Sequence, residues 1–144
     1  MEAEHPDSIY LTEEVLKDLR ANQIGYYAAA TAMDRNIGRI LDAIAEKGIE
    51  EDTLIMFTND HGELLGDHGL LFKGPFHYDS IIKAPMIMKW PGVIPKGSRY
   101  SQVTEHVDIM PTLLEYAGVR PPYGVQGSSM ACLLYTSDAA DDMQ

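Results

Sequence analysis

Hydrophobic side chains recur at three- and four-residue steps in one stretch of the first half of the chain. They are Tyr26, Ala30, Met33, Ile37, Ile40, Leu41 and Ile44. This spacing predicts one apolar face on a helix of roughly 20 residues, and Gly48 stands where a glycine commonly ends a helix. A separate, shorter helix is expected over residues 12–19, because Thr12 is a suitable N-terminal cap.

Two apolar runs of strand length follow the longer helix. Residues 53–58 form a largely apolar run, which predicts a strand buried on both faces, as in a parallel sheet. A helix that leads directly into such a strand indicates α/β layering. Residues 84–90 predict a second strand. Asp108 can cap a further helix that runs to about Tyr116 and ends at Gly118.

Composition and charge exclude several classes of protein. The 144 residues suffice for one domain or a piece of a larger one, and 45% hydrophobic with 23% charged residues is ordinary for a globular protein. The net charge of −11 repels phosphate backbones, so no nucleic acid partner is expected. No apolar run approaches the roughly 18 residues of a membrane span. The acidic start of the chain has no secretory signal, and localisation stays open.

A polar cluster follows the first predicted strand, in the order Asn59, Asp60, His61 and Gly62. In open α/β sheets, ligands bind beyond the carboxyl ends of the strands. A carboxylate oxygen and an imidazole nitrogen are both good ligands for a divalent cation, so Asp60 and His61 are candidate metal ligands. The alternative is structural, with Asp60 capping a turn and His61 hydrogen-bonded locally.

The segment 57–69, which continues to residues 73–76, resembles the second metal-binding motif of the sulfatases, a family of the alkaline phosphatase superfamily. Three flanking stretches agree with this family in order. They are residues 26–29 with Asp34, 37–38 and 40–41; residues 84–87 with 90–92; and residues 107–114 with 117–118 and 126–127. The resemblance covers about residues 26–130. It implies the C-terminal portion of an alkaline-phosphatase-like α/β fold, in which helices sandwich a mixed or parallel sheet.

The resemblance implies roles for several side chains of this motif. Asp60 and His61 correspond to two ligands of a single divalent metal. Lys73, twelve residues after His61, corresponds to the lysine that contacts the sulfate and eases departure of the alcohol. An ammonium there opposes the negative charge on the leaving oxygen; the alternative is a solvated loop lysine. Asp67 and His68 belong to the motif and are expected to build the loop through hydrogen bonds.

Three other polar side chains have less specific assignments. Glu63 is expected to support the metal ligands or the loop. His77 stands close enough in sequence to approach a substrate, although it matches the family only loosely. His106 precedes a predicted helix far from the motif and is expected to be structural.

The nucleophile that sulfatases use does not occur in the chain. The family carries it in a Cys/Ser-x-Pro-x-Arg motif, whose first residue becomes formylglycine. The single cysteine, Cys132, is followed by Leu133 and Leu134, and no Ser-x-Pro-x-Arg occurs. The paired aspartates that complete the family's metal site are expected upstream of Tyr26. We therefore interpret the chain as a fragment, natural or left by gene calling, with the formylglycine in a missing N-terminal part.

Three segments follow from this interpretation. Residues 1–25 are expected to be a leading helix or loop, and residues 26–130 a partial sulfatase catalytic domain. Residues 131–144 match nothing before them and resemble translated sequencing-adaptor read-through. We expect them to be a non-native or disordered tail.

The function that the resemblance implies is metal-dependent hydrolysis of sulfate esters by the full-length enzyme. Calcium is the expected ion, and a sulfated small molecule or glycan is the expected substrate. The alternatives are a phosphodiesterase or phosphonate monoester hydrolase using Mn2+ or Zn2+, and a non-catalytic module that keeps the fold. A standalone metal-binding domain is disfavoured, because two protein ligands leave a site too open for useful affinity. The chain alone is expected to be inactive without its missing N-terminal half.

Overall fold

A computed structural model of the chain describes residues 13–135. In chain order its helices are α1 (Glu13–Glu46), α2 (Asp79–Ile82), α3 (Ile109–Tyr116) and α4 (Ala131–Tyr135), and its strands are β1 (Ile55–Thr58) and β2 (Met86–Lys89). The two strands pair in a two-stranded sheet. The described residues divide into two compact units, one of residues 13–48 and 57–86 and one of residues 49–56 and 87–135. The fold therefore mixes helices with a small sheet.

Helix α1 replaces the two separate helices that the sequence predicts. It runs without a break from Glu13 to Glu46, and its first turn carries the acidic side chains of Glu13 and Glu14, which the positive end of the helix dipole favours. The intervening residues 20–25 include no proline, and Gly25 lowers helix stability by only about 1 kcal/mol. The predicted cap, Thr12, lies outside the described residues. Gly48 has a φ of 65° just past the helix, as predicted for a terminal glycine.

The apolar face of α1 is exposed rather than buried. No residue of the helix is buried, and Tyr26, Met33 and Ile40 expose 46%, 54% and 60% of their surface. The prediction of an amphipathic helix is right about the periodicity of the apolar side chains. Among the described residues, nothing buries that face. In the described part of the chain, no helix is long and apolar enough to cross a bilayer.

Both strands are shorter than the runs that predict them. Strand β1 begins at Ile55, because the Thr53 hydroxyl donates to the carbonyl of Ile49 (2.6 Å) and keeps residue 53 in the preceding turn. The expectation that β1 is buried on both faces is wrong, since all four of its residues are only half-buried. In β2, half-buried Met86 and Met88 alternate with exposed neighbours, which is the two-residue period of a strand with one covered face.

The second unit is organised around the buried side chain of Thr112. Its hydroxyl donates to the carbonyl of Asp108 (2.6 Å) and accepts from the backbone N–H of Met130 (2.8 Å). Asp108 precedes α3 as predicted, but its carboxylate does not cap that helix. It accepts instead from the backbone N–H groups of Glu105 (2.9 Å) and Ser128 (2.8 Å). Helix α3 ends at Tyr116, and Gly118 follows with a φ of 65°, as the sequence predicts.

The first residues after Met130 form a short helix, although a non-native or disordered tail is expected over residues 131–144. Residues 131–135 form α4, in which Ala131 and Leu134 are 1% and 8% exposed. The Tyr100 hydroxyl donates to the carbonyl of Leu134 at 3.2 Å. These residues are apolar and three apart, so one face of a short helix can bury both, whereas the acidic character of the tail comes from later residues. Residues 136–144 lie outside the described part of the chain, and the proposed segment boundaries stay predictions.

Candidate functional site

The two predicted metal ligands lie just beyond the end of β1, where their side chains approach each other. Nε2 of His61 lies 3.4 Å from Oδ2 of Asp60. The Asp60 side chain is 83% exposed and that of His61 33% exposed, so both are accessible from solvent. Asn59 contributes structurally, because its side-chain amide donates to the carbonyl of His61 at 3.0 Å. The prediction that Asp60 and His61 meet at the strand end is confirmed.

Local hydrogen bonds orient the imidazole of His61. Its Nδ1 lies 2.7 Å from the carbonyl oxygen of Gly62, and Nζ of Lys73 lies 2.7 Å from Nε2. A carbonyl oxygen can only accept and an ammonium can only donate, so the proton belongs on Nδ1 and the lone pair on Nε2. The lone pair therefore faces the Asp60 carboxylate and the Lys73 ammonium. Lys73 is exposed, and its ammonium contacts His61 within the loop; its role at the leaving group stays a prediction.

The Asp60 carboxylate is held in its charged form. The backbone N–H of His61 donates to Oδ1 of Asp60 at 3.0 Å and lowers the pKa of this carboxyl below its ordinary value. Desolvation acts in the opposite direction, while the positive charges of His61, when protonated, and of Lys73 add to the lowering of the pKa. Asp60 is thus an anion at neutral pH, as a ligand for a hard cation must be.

The loop that joins His61 to Lys73 folds back against the start of α2. The backbone N–H of Gly62 donates to the carbonyl of Ile81 at 2.7 Å. A Cβ on Gly62 would lie 1.8 Å from the carbonyl oxygen of Ser80, so only glycine permits this approach. Leu64, in the same loop, is buried at 3% exposure and Ile81 at 6%, which makes them the apolar centre of this unit.

Asp67 and His68 have specific partners near α2. The Ser80 hydroxyl donates to Oδ2 of Asp67 at 2.8 Å. The ring of His68 stacks on Tyr78, with centroids 3.8 Å apart and planes 17° from parallel. The sequence predicts Asp67 and His68 as loop-building residues, and the structure agrees, but neither Ser80 nor Tyr78 was foreseen. Tyr78 and Ser80 lie too far along the chain from Asp67 and His68 for a local sequence pattern to indicate these contacts.

The remaining candidates are Glu63, His77 and His106. Glu63 accepts a hydrogen bond from the backbone N–H of Leu64 at 2.9 Å, which fits loop support. His77 is exposed. His106 belongs to a 3-10 turn before α3 in the second unit, consistent with a structural role.

The donor set near β1 fits part of a metal site. A carboxylate oxygen and an imidazole lone pair are appropriate donors for a divalent cation, and they lie close enough to share one. However, no cluster of three or more His, Cys, Asp or Glu side chains suited to a metal ion occurs among residues 13–135. A metal centre would therefore take at least one further ligand from outside the described residues.

Comparison with known proteins assigns the chain to a family. A profile of the family described as Sulfatase matches residues 11–119, about three-quarters of the chain, and the chain belongs to the sulfatase family. It is 38% identical over 109 residues to N-acetylglucosamine-6-O-sulfatase of Bacteroides thetaiotaomicron, which is 76% of this chain and 19% of that protein. It is 34% identical over 132 residues to the multifunctional alkaline phosphatase superfamily protein PehA of Trinickia caryophylli, which is 91% of this chain and 25% of that protein.

A solved structure agrees with this assignment. It is of a protein in complex with its substrate D-glucosamine-2-N,6-O-disulfate, and it superimposes with a TM-score of 0.74 at 38% identity, over 78% of this chain and 22% of that one. The described fold is thus the corresponding part of a sulfatase fold. The chain spans between 19% and 25% of the length of the curated relatives reported above.

Proposed function

We propose that this chain is part of a full-length enzyme that hydrolyses sulfate esters, and that Asp60, His61 and Lys73 contribute to its active centre. One observation carries the proposal: Nε2 of His61 lies 3.4 Å from the Asp60 carboxylate and 2.7 Å from the Lys73 ammonium. The two proposed metal ligands, Asp60 and His61, and the positively charged ammonium of Lys73 thus lie close together in the motif. Such an arrangement suits binding and cleavage of a group that carries several anionic oxygens.

Each of the three side chains has a distinct role in this proposal. Asp60 would hold a divalent cation as a carboxylate. His61 would hold the same ion through Nε2, which the Gly62 carbonyl leaves unprotonated and which the Lys73 ammonium gives up when the cation binds. A calcium ion held there would supply positive charge next to the sulfate oxygens. The Lys73 ammonium opposes the negative charge that develops on the leaving alcohol oxygen. The nucleophile, a formylglycine, comes from sequence outside this chain.

The proposed substrate is a sulfated small molecule or glycan. Two comparisons support a glycan: a relative whose name is an N-acetylglucosamine-6-O-sulfatase and a solved relative bound to a disulfated glucosamine. Most of the length of these proteins lies outside the region that this chain matches.

A second candidate is hydrolysis of phosphodiesters or phosphonate monoesters with Mn2+ or Zn2+. The likeness to a multifunctional alkaline phosphatase superfamily protein favours it. An aspartate and a histidine serve these metals as well as they serve calcium, and tetrahedral phosphorus and sulfur groups present similar oxygens. The pocket and the nucleophile that would distinguish the two candidates come from sequence outside this chain.

The test is to express the full-length protein encoded by the gene and to compare an aryl sulfate with an aryl phosphodiester, each with calcium, Mn2+ or Zn2+. Calcium-dependent cleavage of the sulfate, lost in Asp60→Asn and His61→Ala, is the expected result. Asp79→Asn is the matched control, since Asp79 is an exposed aspartate of the same unit that pairs with Lys83. Preference for the phosphodiester would establish the second candidate, and no cleavage of either ester would overturn the proposal.

A further inference from the structure

We propose that Asp67 and Ser80 are positioning residues, which hold Lys73 at the place where it meets the leaving oxygen. This inference rests on the proposed function for the role of Lys73, but its geometric part can be tested separately. The residues involved are Asp67 and His68 on the loop and Tyr78 and Ser80 at the start of α2. We call these four residues the loop clamp.

The start of the loop is fixed on α2 through the backbone. The N–H of Gly62 donates to the Ile81 carbonyl at 2.7 Å, and the absence of a side chain on Gly62 lets the carbonyl of Ser80 approach. His61 precedes Gly62 directly, so this contact also fixes the position of the imidazole. The start of the loop thus contacts Ser80 and Ile81, which belong to the same short segment as the residues that contact the middle of the loop.

The middle of the loop is fixed on α2 by side chains. The Ser80 hydroxyl donates to Asp67 at 2.8 Å, and His68 stacks on Tyr78 with ring centroids 3.8 Å apart. Nε2 of His68 also lies 3.8 Å from Oδ2 of Asp67. Consecutive residues of the loop therefore contact alternate residues of the segment 78–80, which fixes both the place and the direction of the chain.

The loop would not keep this path through local preferences alone. Leu65 and His68 have φ values of 47° and 53°, a left-handed conformation that is unfavourable for side chains other than glycine. From the other side, the Gln23 amide donates to the carbonyl of Leu65 at 2.9 Å, and Leu19 covers Gly66. Such a backbone persists only where surrounding contacts over-determine it.

Lys73 is close enough along the chain to be governed by the loop clamp. It follows His68 by five residues, and its ammonium reaches back to His61, which the Gly62–Ile81 contact holds. The residue after His61 contacts Ile81, and the loop that leads to Lys73 contacts Tyr78 and Ser80, so the same short stretch of chain, residues 78–81, holds the loop on both sides. Removing the Ser80–Asp67 hydrogen bond releases the side that carries Lys73 and leaves the side that carries His61.

The leaving group of the substrate distinguishes positioning from general support of the fold. Lys73 matters most for a poor leaving group, because more negative charge develops on its oxygen. In the full-length enzyme, Ser80→Ala and Asp67→Ala should lower kcat/KM for an alkyl sulfate by roughly ten- to a hundredfold and for p-nitrophenyl sulfate by less than about threefold. Ser80→Thr keeps the hydroxyl and should retain activity. Asp79→Asn, on the same helix but outside the loop clamp, should change neither substrate.

A double variant tests whether the effect passes through Lys73. In a Lys73→Ala background, Ser80→Ala should cause no further loss with the alkyl sulfate, since coupled residues are not additive. Equal losses for both leaving groups, or full additivity with Lys73→Ala, would show that Ser80 and Asp67 only support the fold.

A spectroscopic measurement on the 144-residue chain decides the geometry without activity. Nitrogen-detected NMR of the His61 ring reports the hydrogen bond that Lys73 donates to Nε2. Ser80→Ala and Asp67→Ala should shift this resonance toward its position in Lys73→Ala, whereas Asp79→Asn should leave it in place. An unchanged His61 resonance in the first two variants would overturn the inference. If the full-length protein cleaves no sulfate ester, the proposed function fails, and this measurement alone decides the loop clamp.

Discussion

The ammonium nitrogen of Lys73 lies 2.7 Å from Nε2 of His61, although the two residues are twelve positions apart in the sequence. The same Nε2 lies 3.4 Å from the carboxylate of Asp60. The contact depends on two features that are not local to Lys73. The Gly62 carbonyl selects the tautomer of His61, and contacts from Gln23 of α1 and from Tyr78 before α2 hold the left-handed residues Leu65 and His68 of the loop.

The 144-residue chain by itself should not hydrolyse sulfate esters at an appreciable rate. None of its residues stands in a motif that forms formylglycine, so the covalent route is closed. The measurement is turnover of an aryl sulfate by the purified chain, with and without millimolar calcium. Turnover that depends on calcium and disappears in Asp60→Ala would contradict this prediction.

Calcium should bind the isolated chain only weakly, with a Kd above about 1 mM, because the described residues offer two side-chain ligands where calcium takes six to eight oxygens. Isothermal titration calorimetry would measure it. Any calcium binding that is detected should vanish in Asp60→Asn. It should remain in Asp79→Asn, which removes the same negative charge from α2. Submicromolar affinity, or affinity that is unaffected by Asp60→Asn, would count against Asp60 as a ligand.

Asp108 should make stability depend on pH. The backbone N–H groups of Ser128 and Glu105 donate to its carboxylate and lower the pKa of Asp108 below the ordinary value of 3.8. A lowered folded-state pKa means that the stabilisation is fully present above the unfolded-state pKa and is lost as the pH falls through the folded-state pKa.

Asp108→Asn should therefore unfold at lower urea concentration than the parent at neutral pH. The difference between the two should shrink once the pH falls below 3.8 towards the lowered folded-state pKa. Urea titrations followed by circular dichroism at several pH values would check this. Asp79→Asn serves as the control, because exposed ion pairs contribute little to stability. A difference that grows on acidification would have the wrong sign and would refute the assignment.

Thr112→Val should lower the free energy of unfolding by about 1–3 kcal/mol, because the buried N–H of Met130 loses its acceptor while the volume of the side chain is kept. Thr31→Val is the matched control: its hydroxyl donates to the Tyr27 carbonyl on the exposed surface of α1, and its change should stay within about 0.5 kcal/mol. Chemical denaturation of both variants gives the comparison. Equal losses would show that burial of the Thr112 hydrogen bonds is unimportant.

Much of the candidate site could be predicted from the sequence, because the patterns that indicate it involve residues close to one another along the chain. An apolar run followed by a polar cluster placed Asp60 and His61 at a strand end, and adjacency in sequence ensures that they are neighbours in space. The terminal glycines Gly48 and Gly118 were equally clear, since a positive φ after a helix has a strong local preference for glycine. The metal and leaving-group roles came from the family resemblance and stay proposals.

The sequence by itself determined the helical periodicity, the glycines that follow the helices, the adjacency of Asp60 and His61 at a strand end, and the family to which the chain belongs. Only the tertiary structure decided that α1 is continuous, that β1 is short and half-buried, that Ala131 and Leu134 are covered, and that Ser80 holds Asp67. The physical reason is the range of the interactions. Helix periodicity and terminal glycines depend on neighbours within a turn or two, whereas contacts such as Lys73 with His61 depend on the path of a whole loop. That path is set by packing against α1 and α2, which no local pattern records.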